Sequence, residues 1–290
     1  MSDTAPRGFW SIWPIRFIVL FVLVTLCYAS GPLIAHVFKD QLSTYPKTGV
    51  LVVADVFSIA LTVVAYCLLI RLTERRWPAE LGAARAVPHV LQGALIGLAL
   101  FIIVYLVFFA MHVATFKGLG STQGLAYALM LSLTSGICEE IIFRGVVFRI
   151  LEGAMGTLVA LVLSAAFFGL VHRGNPGATL LSSIAIAVEA GILLGAAYAL
   201  TRSLWLAIGL HFAWNFTEGG IFGAQVSGGK VTGLLNIPLS GPDIMTGGAF
   251  GPEASIVAMI VCTAAGLIML GLAIRKGEWK PMHFRLRTAG

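Results

Sequence analysis

Charged side chains are scarce in this sequence, and that scarcity excludes most soluble proteins. Asp, Glu, Lys and Arg make up only 11% of the residues, whereas hydrophobic residues make up 58%. Because soluble domains carry about a quarter charged residues, the composition predicts a polytopic membrane protein. The net charge of +6 comes from basic residues in short segments between apolar runs. This pattern indicates membrane orientation and argues against nucleic acid as a partner.

Cysteine is equally rare, and several protease signatures are missing. The four cysteines lie in apolar segments without CxxC or Cys/His spacing: Cys27, Cys67, Cys138 and Cys262. They are predicted to be small buried residues rather than disulfide partners or zinc ligands. The sequence also contains no HExxH, GxSxG or GxGD motif. These absences argue against gluzincin-type proteases and against the serine and aspartate types of intramembrane protease.

Long apolar runs make up most of the chain. A membrane-spanning helix needs about 20 apolar residues, and this criterion predicts an all-α fold with about eight spans. They are residues 14–37, 49–72, 88–114, 123–149, 155–172, 179–202, 204–222 and 254–274. Residues 223–253 are rich in Gly, Pro and Ser, which predicts a loop. With these spans, 13 Lys and Arg residues lie on the side of the chain ends and 5 on the other side, Arg144 being set apart. This imbalance predicts that both termini face the cytoplasm.

Ionisable residues inside the predicted spans are candidates for function. A charged side chain in hydrocarbon costs several kcal/mol, so such residues are rare without a role. The candidates are Asp55, Glu139, Glu140, Arg144, His172, Glu189 and His211, with the amide of Asn215 beside them.

The stretch EEIIFR places two adjacent glutamates in one predicted helix. Glu140 and Arg144 are four residues apart, a spacing that favours an ion pair on one helix face. Glu139 is rotated from Glu140 by about 100° and has no such cation in its own helix. We therefore expect Glu139 to face a cavity between helices, where a carboxylate can act as a general base. The alternative is that both glutamates only hold helices together.

Two further pairs, Phe168 with His172 and His211 with Asn215, each occupy one face of a predicted helix, because their members are four residues apart. A carboxylate and an imidazole can hold and deprotonate a water molecule, and a second imidazole with a carboxamide can stabilise an oxyanion. This is the minimal equipment for peptide hydrolysis. The same groups could instead hold zinc, with Glu139, His172 and His211 as ligands. The sequence alone leaves both possibilities open.

The three motifs EEIIFR (139–144), FGLVH (168–172) and HFAWN (211–215) resemble those of the CAAX protease and bacteriocin-processing family, also called the Abi family. The segment RRWPAELG (75–82) is also similar to one often found in that family. The resemblance implies an all-helical intramembrane endopeptidase with its active site inside the helical bundle. Its eukaryotic members remove the last three residues after a prenylated cysteine.

Carried over to this chain, the resemblance implies a role for each motif residue. Glu139 and His172 would activate the water, and His211 with Asn215 would stabilise the oxyanion. Glu140, Arg144 and Phe168 would support the site. Family members are often classed as metalloproteases, so a divalent metal such as zinc and a metal-free mechanism both remain open.

The resemblance also divides the chain. Residues 1–121 would form three N-terminal helices, residues 122–222 the catalytic core with helices four to seven, and residues 223–290 an extracytoplasmic loop, a last helix and a basic cytoplasmic tail. The expected partners are membrane lipids and a hydrophobic or membrane-anchored peptide or protein substrate. The compact loops favour a bacterial inner (plasma) membrane, where a prenylated substrate is not expected.

Two points stand against this interpretation. A transporter or a non-enzymatic membrane scaffold could also bury charges, although no inverted repeat is visible. The predicted spans also place Glu139 near the cytoplasmic side and His172 near the outer side of a bilayer about 30 Å thick. A short fifth span or wrongly placed span ends would reconcile the two positions.

Overall fold

The computed structural model of the chain describes residues 8–42 and 45–287. Its α-helices are α1 (Trp13–Val37), α2 (Lys47–Glu74), α3 (Ala86–Ala110), α4 (Leu125–Glu140), α5 (Arg149–Met155), α6 (Thr157–Val171), α7 (Leu180–Ile186), α8 (Ile192–Thr201), α9 (Leu204–Asn215), α10 (Asp243–Thr246) and α11 (Ile256–Arg275). Short 3-10 turns occupy Gly8–Ser11, Ala79–Leu81, Ala83–Arg85, His172–Gly174 and Pro252–Ala254. Two short antiparallel strands, β1 (Gly118–Leu119) and β2 (Leu235–Asn236), complete an otherwise helical fold.

Three π-helical segments interrupt or extend these helices. Ile141–Phe148 joins α4 to α5, Ala187–Gly191 joins α7 to α8, and Phe216–Ile221 continues α9. Two of them adjoin α4 and α9, which carry predicted site residues, and the third contains Glu189. Because π-helical turns widen the helix and shift the phase of its side chains, these segments set which residues face the centre of the bundle.

Within the described residues, seven helical stretches are long and apolar enough to cross a membrane. They correspond to seven of the eight predicted spans and confirm an all-α polytopic membrane fold. The eighth predicted span, 204–222, forms α9 and its extension to Ile221. It differs from the others because ten of the twelve residues of α9 are buried inside the protein. This helix is therefore surrounded by its neighbours instead of by lipid.

Close backbone contact with α3 fixes the position of α9. A Cβ atom on Gly93 would lie 2.2 Å from the carbonyl oxygen of Leu206, and one on Gly97 would lie 2.4 Å from that of Leu210. Only glycine permits such an approach, which is typical of helix packing in membranes. The contact fixes the height of the next turn of α9, which carries His211.

The predicted spans place Glu139 and His172 at different depths in the membrane, and the observed helix lengths correct this. The helical stretch from Leu125 runs on to Met155, beyond the predicted end at 149, so Glu139 lies near its middle. Helix α6 has 15 residues and is therefore about 22 Å long, shorter than the bilayer core. His172 follows its last residue and lies inside the bundle.

The loop at 223–253 packs over the end of α9 and over the turn that follows His172. Its strand β2 pairs with β1, and the backbone of Gly228 donates a hydrogen bond to the carbonyl of Phe250. Pro176 and Gly177 contact this loop at Gly228 and Ala249. The loop thereby brings residues near 227 and 253 to the centre of the molecule.

The C-terminal tail lies beneath the turn between α5 and α6. The amide of Thr157 donates to the carbonyl of Lys280, and the amide of Arg285 donates to that of Ala154. The tail then reaches the start of α1, where the amide of Trp13 lies 3.2 Å from the carbonyl oxygen of Leu286. The first and last described segments are therefore neighbours.

Candidate active site

Glu139 and His172 face each other across the ends of α4 and α6. Glu139 Oε2 lies 3.9 Å from His172 Nε2, which is too long for a direct hydrogen bond but suits one water molecule bonded to both. Glu139 Oε2 is buried without a hydrogen-bond partner. Its other oxygen accepts a long hydrogen bond, 3.4 Å, from the hydroxyl of Tyr28 on α1. The pair thus has one free carboxylate oxygen aimed at the space beside the imidazole.

The tautomer of His172 follows from its second contact. Its Nδ1 lies 2.7 Å from the carbonyl oxygen of Phe168, one turn earlier. Because a carbonyl oxygen can only accept, Nδ1 must carry the proton. In the neutral ring, Nε2 is then an acceptor on the side of Glu139. A water molecule between the two groups can therefore donate one hydrogen to each of them.

Glu140 lies at the centre of a buried polar cluster. Its Oε1 is 2.9 Å from Arg144 Nη1 and 2.9 Å from His211 Nδ1, and neither Glu140 nor Arg144 is exposed. Arg144 Nη2 donates to the carbonyls of Ala190 and Gly191. Through these contacts, one ion pair joins α4, the π-helical segment before α8, and α9.

The ring of Phe168 packs against Arg144 and against both histidines of the site. The guanidinium carbon of Arg144 lies 4.7 Å from the centre of its ring, a cation–π distance. The ring centre is 4.5 Å from that of His172 and 6.3 Å from that of His211. Phe168 therefore separates the two histidines while contacting both.

His211 and Asn215 lie one turn apart on α9. His211 Nδ1 donates to Glu140, so its Nε2 can donate to a substrate only when the ring is an imidazolium. The adjacent carboxylate of Glu140 favours that cation. The side-chain amide of Asn215 donates to the hydroxyl of Ser135 on α4 at 2.9 Å. These contacts orient both side chains before any substrate arrives.

Two cavities meet at His172. The larger, about 240 Å³, lies between α1, α4 and α6 and is lined by Tyr28, Glu139 and His172 among others. The smaller, about 20 Å³, is lined by His172, His211 and Asn215 among others and is large enough for one water molecule. His172 therefore joins the predicted water-activating residue to the predicted oxyanion residues, which lie in separate cavities.

The geometry does not fit a zinc ion held by Glu139, His172 and His211. In the part of the chain that the structure describes, no three His, Cys, Asp or Glu side chains are placed to hold one metal ion. Glu139 and His211 also line different cavities. The three predicted ligands therefore do not converge on one position.

Four polar residues of the site were not among the candidates from the sequence. Tyr28 and Ser135 carry no charge, so the cost of burying a charge could not identify them. Glu218 lies inside a predicted span, and the same cost would have identified it. Glu253 follows a Gly- and Pro-rich loop whose path the sequence does not reveal. Only the fold brings Glu253 to the small cavity.

Comparison with known proteins points to one family. Residues 120–217 match the family model described as type II CAAX prenyl endopeptidase Rce1-like. No curated protein and no solved structure matches the chain. The matched segment contains all three motifs and runs from the residues before α4 into the extension of α9. Together with the seven apolar helices, the match supports an integral membrane protein whose residues 120–217 are similar to the type II CAAX prenyl endopeptidase Rce1-like family.

Proposed function

We propose that the protein hydrolyses a peptide bond of a hydrophobic or membrane-anchored peptide, using a water molecule activated by Glu139 and His172. The observation that carries this proposal is the 3.9 Å separation of Glu139 Oε2 and His172 Nε2 beside a cavity of about 240 Å³. Two acceptors at this separation suit a shared water, which is the geometry that general-base catalysis requires.

The proposed reaction starts with the transfer of a water proton to Glu139. The resulting hydroxide attacks the peptide carbonyl carbon, and its remaining hydrogen stays hydrogen-bonded to His172 Nε2. The developing oxyanion accepts hydrogen bonds from the His211 imidazolium and the Asn215 amide, which Glu140 and Ser135 already orient. Such preorganised donors are worth about 3–4 kcal/mol each in the transition state.

Glu140 and Arg144 have a supporting role in this proposal. Arg144 is paired with Glu140, and the Glu140 carboxylate favours the cationic form of His211 that can donate through Nε2. Phe168 excludes water from this pair by covering the guanidinium with its ring. The three residues thus maintain the charge of the oxyanion donor without contacting substrate.

The proposed substrate reaches the site within the membrane. The large cavity is lined by apolar residues of α1 and of the π-helical segment after α4, such as Phe21 and Ile142, beside the polar pair. An apolar wall of this kind suits a hydrophobic segment or a lipid-anchored peptide. We further propose that the protein resides in a bacterial inner membrane with both termini in the cytoplasm, that residues 122–222 form the catalytic core, and that residues 223–253 lie on the opposite side.

The test is peptide cleavage by the full-length protein reconstituted in lipid vesicles. The probes are fluorogenic hydrophobic peptides, each made with and without a prenylated cysteine. We expect Glu139→Gln to lower kcat by at least about 100-fold, the usual contribution of a general base, with unchanged thermal unfolding. Glu278→Gln, a change in the partly exposed tail, is the matched control. Full activity of Glu139→Gln would remove Glu139 as the base.

A further inference from the structure

The small cavity contains carboxyl groups that the proposed water activation does not use. Besides His172, His211 and Asn215, it is lined by Glu189 and Glu253. Glu253 comes from the 3-10 turn just before α11, far from the three motifs in sequence. It is 3% exposed. A buried carboxyl group at this position needs a reason, because an unpaired charge is costly there.

Glu253 forms a carboxyl pair with Glu218. The backbone amide of Glu253 donates to Glu218 Oε1 at 3.2 Å, and both side chains are buried. Two neighbouring buried carboxyl groups cannot both ionise at low cost, so one of them keeps a proton. The pair therefore holds a proton at the edge of the small cavity.

Ser227 fixes the orientation of Glu253. Its backbone amide and its hydroxyl both donate to Glu253 Oε1, at 2.6 and 2.8 Å. Burial is the largest influence on the pKa of Glu253 and raises it, although the hydrogen bonds from Ser227 act in the opposite direction. The titratable groups around it are Glu218, Glu189, His172, His211 and Cys262. The carboxyl group is thus held rigidly, close to a proton and next to the reaction centre.

We propose that Glu253 is a further catalytic residue, the acid that gives a proton to the leaving amine during peptide hydrolysis. This inference rests on the proposed function. The water approaches from Glu139 and His172, and the carbonyl oxygen points to His211 and Asn215. The leaving nitrogen lies in a third direction from the same carbon. Glu253 also lines this cavity, and neither water activation nor oxyanion stabilisation uses its side chain.

Glu189 is the other carboxyl group in this cavity. Glu253 differs from it because its own backbone amide is bonded to Glu218, a second carboxyl group that can replenish its proton. This difference favours Glu253.

The proposed step balances in atoms and charge. Glu139 takes one proton from water as the hydroxide forms the new C–O bond. The tetrahedral intermediate then collapses, the C–N bond breaks, and the Glu253 proton passes to the nitrogen. The products are a carboxylic acid and an amine. Glu253 is left ionised and Glu139 protonated, and transfer of that proton through the His172 water back to Glu253 restores the starting state. No oxidant, reductant or metal takes part.

The experiment compares two substrates with the same acyl sequence in the reconstituted full-length protein: a fluorogenic peptide and the corresponding p-nitrophenyl ester. Protonation of the leaving group matters for an amine but not for p-nitrophenolate. We expect Glu253→Gln to lower kcat for the peptide by about 100-fold, with KM within about twofold of the wild type. Hydrolysis of the ester should continue at the wild-type rate. Glu139→Gln should lose both activities, and Glu278→Gln neither.

A second variant gives an independent result. Glu218→Gln removes the carboxyl group that shares a proton with Glu253, so peptide kcat should fall while hydrolysis of the ester continues at the wild-type rate. If Glu253→Gln does not fold, this variant decides the matter.

The outcomes are distinguishable. Equal loss of ester and peptide hydrolysis in Glu253→Gln, wild-type peptide kcat in that variant, or wild-type peptide kcat in Glu218→Gln would each overturn the role of Glu253 and leave the proposed function standing. A wild-type protein that cleaves no peptide, or a Glu139→Gln variant that retains cleavage, would overturn the proposed function and, with it, this inference.

Discussion

Phe168 is an apolar residue that organises three polar ones. Its ring contacts Arg144, His172 and His211, and its carbonyl sets the tautomer of His172. The sequence could predict that Phe168 and His172 share a helix face, because that follows from a spacing of four. It could not predict the contacts with Arg144 and His211, since these residues come from other helices and their approach depends on tertiary packing.

Removal of divalent metal is expected to leave the peptidase rate unchanged. Glu139 and His211 line different cavities, and the described residues include no group of three ligands for one ion. The check is the cleavage rate of the reconstituted protein after dialysis against a strong chelator, together with metal analysis of the protein. Activity that is lost on chelation and returns with zinc would contradict the metal-free mechanism.

Helix lengths and phases decide which side chains meet, and here the sequence was a partial guide. It predicted the apolar helices because their runs are long and nearly free of charge. It did not predict the π-helical segment Ile141–Phe148, because the hydrophobic pattern of such a segment does not differ from that of an α-helix. The extension of that stretch to Met155 and the short α6 bring Glu139 and His172 together. Neither span boundary could be placed accurately from hydropathy alone.

Gly97→Ala is expected to disturb the site through the contact of α3 with α9. The added Cβ would lie 2.4 Å from the Leu210 carbonyl oxygen and 3.0 Å from the Trp214 amide nitrogen, so α9 must shift. Overpacking of this kind costs about 1–3 kcal/mol and should lower the temperature of unfolding and the cleavage rate together. Gly271→Ala on α11 is the matched control, because its Cβ meets nothing within 4 Å. Equal behaviour of the two variants would refute the argument.

The whole molecule is held together at one end by a buried network of ions. Glu74 at the end of α2 lies within 4 Å of Arg16, Arg76 and Arg149, and its side chain is not exposed at all. The network joins α1, α2 and α5. From the sequence, these arginines were assigned to the cytoplasmic set on the basis of their positions near span ends. Their pairing with one carboxylate was not predictable, because it joins residues about 60 and 75 positions apart.

Glu74→Gln is expected to destabilise the protein without contacting the site. Loss of one partner from a buried ion network costs about 3–5 kcal/mol, so the midpoint of thermal unfolding in detergent should fall clearly. Glu278→Gln is the comparison, since Glu278 pairs with Arg202 at 2.9 Å while partly exposed and such pairs contribute at most about 1 kcal/mol. A midpoint for Glu74→Gln that matches this comparison would mean that the network adds nothing to stability.

The contact between the start of α1 and the C-terminal tail bears on the number of membrane crossings. Trp13 and Leu286 share a backbone hydrogen bond, so we expect the chain to enter and leave the bilayer on one side, which takes an even number of crossings. The seven apolar stretches found in residues 8–42 and 45–287 make an odd number. We therefore expect the enclosed helix α9, with its extension to Ile221, to supply the remaining crossing. A helix that meets almost no lipid would then return the chain to the side on which it began.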